Sequence, residues 1–331
     1  MTKRIALLYG GASSEHDVSV LGYEYVSELL QGTEYEIIPV YISKNGDWSV
    51  TTNGAPITVY PTAKSGGSLN TEYGLIQIDA AIPLLHGDGG EDGSVQGALE
   101  CARIPYVGAD VCTSALCLDK TYSKAIARSL GIPTLSSVSP KRYESAKAAL
   151  SECKEALNFP LFIKPRRLGS SLGACSATSE DEFLKGYEIA SRLGDGLVIV
   201  EECLEEKREL ECAFVEIGCK KIVTSPGEIL IGGFYGYGEK YGGKTKTAPL
   251  ARVEASVSET ITEYASLLAE AMMLRHLGRI DFFLSGNKIF FNEINTFPGF
   301  TRESLYPKML SACGINPRDA LISFINDALC S

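Results

Sequence analysis

Apolar and polar positions along the chain alternate between a period of two and a period near 3.6, and these periods predict the elements. The apolar run from Ile5 to Tyr9 predicts a buried strand over 3–9, ended by Gly10-Gly11. Ser13-Ser14-Glu15-His16-Asp17 then opens a helix with Val18, Leu21, Tyr25, Val26, Leu29 and Leu30 at helical spacing. A second strand is expected near 35–42, loops and short strands over the polar stretch 45–75, and a buried strand from Ile78 to Leu85. After a short helix, Ile104-Pro105-Tyr106-Val107-Gly108 marks a first domain boundary. Ser114 to Leu130 predicts one amphipathic helix stopped by Gly131-Ile132-Pro133, and 143–157 another, with Leu150 and Leu157 inward. Apolar strands precede Lys164 and Glu201, a further strand covers 210–217, and Ile261, Tyr264, Leu267, Leu268, Ala271 and Met272 mark a helix. Strands alternating with helices make an α/β pattern.

That last helix leads into two β-branched and aromatic runs flanking Ser285-Gly286-Asn287-Lys288, a hairpin over 279–295. Strand parity groups Ile280, Phe282 and Leu284 on one face, with Phe290, Ile294 and a polar Asn292 on one face of the return strand. Arg279 and Asp281 take the opposite face of the first strand, Glu293 and Asn295 that of the second. If those faces coincide, two carboxylates and an amide oxygen converge beside a guanidinium. Such an all-oxygen set suits Mg²⁺ holding a phosphorylated ligand. The plainer alternative is a solvated face with one Arg–Asp pair. Asn295 runs into Thr296-Phe297-Pro298-Gly299-Phe300-Thr301, a rigid turn able to present backbone N–H groups.

Other stretches carry candidate chemistry. Glu15 either complements a helix dipole or projects into a cleft at the carboxyl end of the first strand. Gly10-Gly11-Ala12 is no dinucleotide fingerprint. The glycine-dense segment from His86 to Gly97, at a strand's carboxyl end, reads as a ligand loop. Lys164 precedes a basic Gly/Ser loop, Pro165 to Gly173, whose N–H groups can form an anion nest; no Walker sequence is present. Glu201 and Glu202 end an apolar strand, as a solvated turn or as acceptors for an adenine amine and a ribose. The Gly/Tyr-rich segment 232–243 is a mobile lid or a surface loop.

Composition narrows the function. With 331 residues, 45% apolar and 22% charged, the chain is globular and long enough for two or three domains. A net charge of −10 without a basic run makes nucleic acid a poor partner and leaves room for a local basic pocket for phosphates. Ten cysteines without a C-x-x-C pair, beside three histidines, give no zinc spacing and predict buried, reduced thiols. The first apolar run is too short for a signal peptide and no stretch reaches membrane-spanning length, so a soluble, cytoplasmic protein with no membrane partner is expected.

Five motifs in order resemble the D-alanine–D-alanine ligases of the ATP-grasp superfamily, nearly end to end. They are Gly10-Gly11 through Ser19, His86-Gly87 through Gly93, Lys164 through Gly173, Glu239-Lys240-Tyr241, and Gly278 through Gly299. The resemblance implies a three-domain ATP-grasp architecture. Its units are an N-terminal parallel α/β domain at 1–110, a central domain at 111–202 and a C-terminal domain at 203–331. ATP would lie between the last two. It implies that a first D-alanine is activated as an acyl phosphate and attacked by the amine of a second D-amino acid, for peptidoglycan precursors. By resemblance, Asp281, Glu293 and Asn295 hold Mg²⁺ (two ions, with Mn²⁺ as an alternative). Lys120, Lys164, Ser171 and Lys240 meet phosphates, and Arg279 with the Gly299 N–H forms the oxyanion site. Glu15 holds the first ammonium and is linked through Ser170 to Tyr241 on the lid; Ser304 and His86 serve the second substrate. Glu201, Glu202, Leu204 and Glu209 line the adenine and ribose slot. A homodimer through the N-terminal domain is also implied. Glu202 stands where the family often has lysine, and Arg302-Glu303 where small polar pairs are usual. A D-alanine–D-serine ligase shares the Glu-Lys-Tyr lid and remains the alternative, with a non-catalytic ATP-grasp protein as the reading of a different class.

Overall fold

A computed structural model describes residues 2–230 and 246–330. Lys240 and Tyr241, expected on a lid, therefore lie outside the described residues.

The first sheet runs in the order Ala55–Thr58, Trp48–Thr52, Glu36–Ile42, Arg4–Gly10, Ala80–Pro83. Its last three strands are parallel, with Arg4 opposite Glu36 and Ile5 opposite Ala80. Ile5, Leu7 and Leu8 are fully buried, because a central parallel strand is covered on both faces and reads as an unbroken apolar run. The strand ends at Gly10, whose φ of +96° and approach to the Ile42 carbonyl, 2.2 Å from where a Cβ would stand, admit no side chain. The Gly10 N–H donates to Ser19 Oγ at 2.8 Å, which seats the helix His16–Leu29 over the strand end. A small three-stranded sheet, Tyr60–Thr62, Ser68–Thr71 and Gly74–Gln77, fills the expected irregular stretch.

A second, antiparallel sheet orders Cys175–Ala177, Leu161–Pro165, Val198–Glu202 and Ser137–Val138, with the helices Ala146–Ala156 and Glu180–Leu193 packed on it. The third orders Lys246–Ala248, Gly227–Leu230, Arg208–Ile217, Leu277–Ser285 and Lys288–Asn295. The helices Ala255–Ala271 and Pro317–Cys330 cover it from different core clusters. Among the described residues, no helix is long and apolar enough to cross a membrane.

Three expectations need correction. The single helix over Ser114 to Leu130 is two, Val111–Leu118 and Lys120–Ser129, broken at Asp119, whose ψ of 102° is extended. Its carboxylate accepts from the Thr121 N–H at 3.1 Å, so a strong N-cap residue restarts the helix where periodicity alone runs through. Leu21, at helical spacing with core residues, is 55% exposed and faces a cavity. The cysteines are free, but Cys101, Cys112, Cys219, Cys313 and Cys330 are exposed rather than buried, because several close helices at the surface.

Candidate functional site

The hairpin carries the densest chemistry. Arg279 pairs with Asn295 and Asp281 with Glu293 across Leu277–Ser285 and Lys288–Asn295, so the four polar residues do share a face. The register then shifts: Phe282 lies opposite Phe291, leaving Asn292 as the extra residue of a β-bulge. This overturns the parity expected for the return strand. Phe291, not Phe290, joins Ile280, Phe282, Leu284 and Ile294 in the core. Asn292 turns to the site, where its Oδ1 accepts from Lys164 Nζ at 3.2 Å. The bulge thus delivers two adjacent polar residues, Asn292 and Glu293, to one face.

Arg279 donates to both Asp281 oxygens at 2.8 Å and lies 3.2 Å from Glu211. Burial favours the neutral guanidine, but Asp281 and Glu211 outweigh it and hold Arg279 protonated. Asn295 Nδ2 donates to Asp281 at 3.1 Å, and Glu293 pairs with Lys120 at 3.2 Å. Asp281, Glu293 and Asn295 are hard oxygen donors, which suits Mg²⁺. Two carboxylates and one amide make an incomplete set, and phosphate oxygens and water would complete it. Among the described residues there is no self-sufficient cluster of three His, Cys, Asp or Glu side chains.

Lys120 is buried at the first turn of its helix rather than solvated. Its N–H donates to the Arg166 carbonyl at 3.1 Å and its Nζ to the Leu168 carbonyl at 2.8 Å. Asp119, wholly buried, takes Arg166 through both its oxygens and Arg167 at 2.9 Å. The helix break is thereby stitched to the base of the Gly/Ser loop. In that loop Ser170 and Ser171 both adopt left-handed φ, 52° and 56°, a strain that loops binding anions commonly hold.

Lys164 lies 2.7 Å from Glu201, which also meets Lys124 at 2.9 Å. Burial pushes the Glu201 carboxyl up, and the two lysines overcome it to hold the group ionised. Burial lowers Lys124 to about 8. Glu201, expected to accept from adenine, is thus at the floor of the slot with its carboxylate already engaged by two ammonium groups. Leu204, Phe162, Phe283 and Glu209 line the same 800 Å³ cavity, with Glu209 3.2 Å from Lys207. Glu202 sits at its edge and accepts from the Ser136 N–H at 3.0 Å. Lys207 stands 4.0 Å from the Phe283 ring centre.

A second cavity, of 540 Å³, adjoins the first. Ser170 Oγ donates to Glu15 at 2.6 Å on its wall, and His86 Nδ1 meets the Phe297 carbonyl at 3.1 Å. Glu91, fully buried and pushed up by that burial, accepts from the Gly87 and Phe297 N–H groups and ties the glycine-dense loop to the turn before Gly299. Ser304 Oγ accepts from the Thr301 N–H at 3.2 Å, and a Cβ on Gly299 would come within 3.0 Å of that oxygen. Lys120, Ser170, Glu211, Arg279 and Glu293 line both cavities. Arg302 turns away to Glu28 and the Tyr25 ring, whereas Glu303 borders the second cavity paired with Lys308 at 2.7 Å.

Sequence reasoning missed Asp119, Lys124 and Glu211. Lys124 lies one helical turn after Lys120 and so shares its face. Glu211 lies between the buried Leu210 and Cys212, opposite Asp281 in register; a charge among buried apolar residues was the available signal.

Family models described as the D-ala D-ala ligase N-terminus and C-terminus match residues 4–109 and 126–326. The chain is 36% identical to a D-alanine--D-alanine ligase of Bradyrhizobium sp. strain BTAi1, over 97% of this chain and 93% of that protein. Among solved structures it resembles the VanG D-Ala:D-Ser ligase of Enterococcus faecalis, with a TM-score of 0.89 and 34% identity over 99% of this chain and 100% of that one. The D-alanyl-alanine synthetase A of Vibrio cholerae O1 matches at a TM-score of 0.89 and 34% identity, covering 100% of both. With both family models matched in order and such relatives spanning nearly its whole length, the chain belongs to the D-alanine–D-alanine ligase family.

Proposed function

We propose that the protein joins two D-alanine molecules to D-alanyl-D-alanine at the expense of ATP, for peptidoglycan precursor synthesis. The observation that carries this reading is the shared wall between the two cavities: Lys120, Ser170, Arg279 and Glu293 border both. A group transferred from a nucleotide in the larger cavity to a substrate in the smaller one must pass these residues.

A carboxylate oxygen of the first D-alanine attacks the γ-phosphorus, the bond to the bridging oxygen breaks, and ADP leaves. Glu15 holds the first ammonium, and Lys120 and Lys164, with Lys240 and Ser171, offset the gathered negative charge. The neutral amine of the second D-alanine then attacks the acyl carbon; its proton is lost, and phosphate departs with the electron pair of the broken C–O bond. Arg279 and the Gly299 N–H stabilise the tetrahedral oxyanion, a role for which a single donor contributes roughly 10²–10³ in rate. Ser304 and His86 orient the second substrate, and Tyr241 takes part in the link from Glu15 through Ser170. Mg²⁺ on Asp281, Glu293 and Asn295, as two ions with Mn²⁺ as a substitute, supplies charge neutralisation at the phosphates. Leu204, Glu202 and Glu209 border the adenine and ribose, with Glu201 beneath.

The same reading divides the chain into units at 1–110, 111–202 and 203–331. It makes the protein a cytoplasmic homodimer through the first unit, whose small sheet exposes Tyr60, Tyr73 and Leu75. Val18, Leu21 and Leu305 line the second cavity beside the hydroxyls of Thr301 and Ser304, and a D-alanine–D-serine ligase is the alternative reading.

Incubation with ATP, Mg²⁺ and D-alanine, alone or with D-serine or D-lactate, followed by mass analysis, tests the proposal. D-alanyl-D-alanine as the main product is expected. Preferred D-alanyl-D-serine would transfer the assignment to the VanG type, and no phosphate release at millimolar D-alanine would leave a non-catalytic ATP-grasp protein.

A further inference from the structure

We infer that Lys124 is a positioning residue for the nucleotide: by sharing Glu201, it leaves the positive charge of Lys164 available to a ligand phosphate. The inference rests on the ATP reading above and extends it to a residue that borders neither cavity.

Lys124 and Glu201 are 0% and 1% exposed in their side chains, whereas Lys164 opens onto the nucleotide cavity. One Glu201 oxygen faces Lys124 at 2.9 Å and the other faces Lys164 at 2.7 Å. The triplet therefore carries a net charge of +1, and that surplus emerges on the member that lines the cavity. Removing Lys124 would leave Glu201 and Lys164 as a neutral pair, with the Lys164 ammonium drawn to one carboxylate and little field left for an anion. Lys124 also donates to the Phe291 carbonyl at 3.3 Å, immediately before the bulge that brings Asn292 to Lys164. An apolar residue of similar length would fill the same space without the desolvation cost of a buried ammonium, so packing alone gives no reason for lysine here.

The test is calorimetric titration of Mg·ATP into wild type, Lys124→Met, Lys124→Arg and the double variant Lys124→Met/Glu201→Gln, each checked for folding by circular dichroism. The KM for D-alanine is followed in parallel by phosphate release. Lys124→Met is expected to weaken ATP binding at least tenfold with the D-alanine KM unchanged, and Lys124→Arg to stay within threefold of wild type. The double variant removes one charge of each sign and restores the surplus on Lys164, so it should bind ATP at least fivefold more tightly than Lys124→Met. A purely structural lysine predicts the reverse, with the double variant no better than the single. That result, or a Lys124→Met protein that binds ATP normally, overturns the inference. If Lys124→Met does not fold, Lys124→Gln takes its place, compared in the same way with Lys124→Gln/Glu201→Gln. Wild type that binds no ATP would instead remove the nucleotide reading itself.

Discussion

Glu293 stands opposite Asp281 across the hairpin and 3.2 Å from Lys120, so a single oxygen-for-nitrogen exchange there tests the cation site. Glu293→Gln keeps the volume and removes the charge of the proposed ligand. Turnover should fall by at least ~100-fold, since even the partners of metal ligands contribute roughly 10–100-fold. A folded variant with near-normal turnover would show that this face holds no cation. Arg302 makes the opposite case. It is 65% exposed in its side chain and reaches Glu28 on the helix His16–Leu29, away from the second cavity. Arg302→Ala should leave the thermal midpoint and the product distribution unchanged; an altered D-alanine to D-serine preference in mass-resolved products would return it to the substrate wall. The identities of Asp281, Glu293 and Lys164 were legible because charged residues within apolar strands need a reason. Lys124 was not, because a lysine within an amphipathic helix looks like any solvated one until the fold buries it.

Elements were legible wherever one period persisted, and failed where a single residue interrupted it. Asn292 breaks the parity of its strand, and no feature of Phe290-Phe291-Asn292-Glu293 says which residue is extra. Asp119 breaks a helix that apolar spacing continues through. Its side chain caps the second segment and receives two arginines from the Gly/Ser loop, so it couples Lys120 to that loop. Asp119→Ala removes a cap of about 1 kcal/mol and strands the mostly buried Arg166 guanidinium, for a total cost of about 3–4 kcal/mol. Thermal unfolding should register the loss, and the KM for ATP should rise while that for D-alanine changes little. Equal increases in both would mean that the loop is not held through this residue.

At the scale of the whole molecule, the first and last parts of the chain share one core. Ile5, Leu7 and Val26 pack in the same cluster as Val215, Leu277, Tyr306 and Phe324. Such long-range packing is invisible to local periodicity, which reports that a face is apolar but not what covers it. His276 lies at this junction, 3% exposed, with Nδ1 accepting from the Gly108 N–H at 2.9 Å. Burial, with Arg275 adding to it, lowers its pKa to about 3. The unfolded chain binds the imidazole proton near pH 6.5 and the folded one does not, so between those values unfolding takes up a proton. Stability from this group is complete above about pH 6.5 and falls by ~1.4 kcal/mol per unit below it, or ~2 kcal/mol by pH 5. His276→Asn keeps an acceptor near the Nδ1 position, tolerates the left-handed φ of 64°, and cannot take the proton. Denaturant unfolding at pH 7.5 and pH 5.0 should therefore show a smaller loss for His276→Asn than for wild type. Equal losses in the two proteins would mean that His276 is protonated in the folded state, and that the joint between the two parts of the core tolerates a charge.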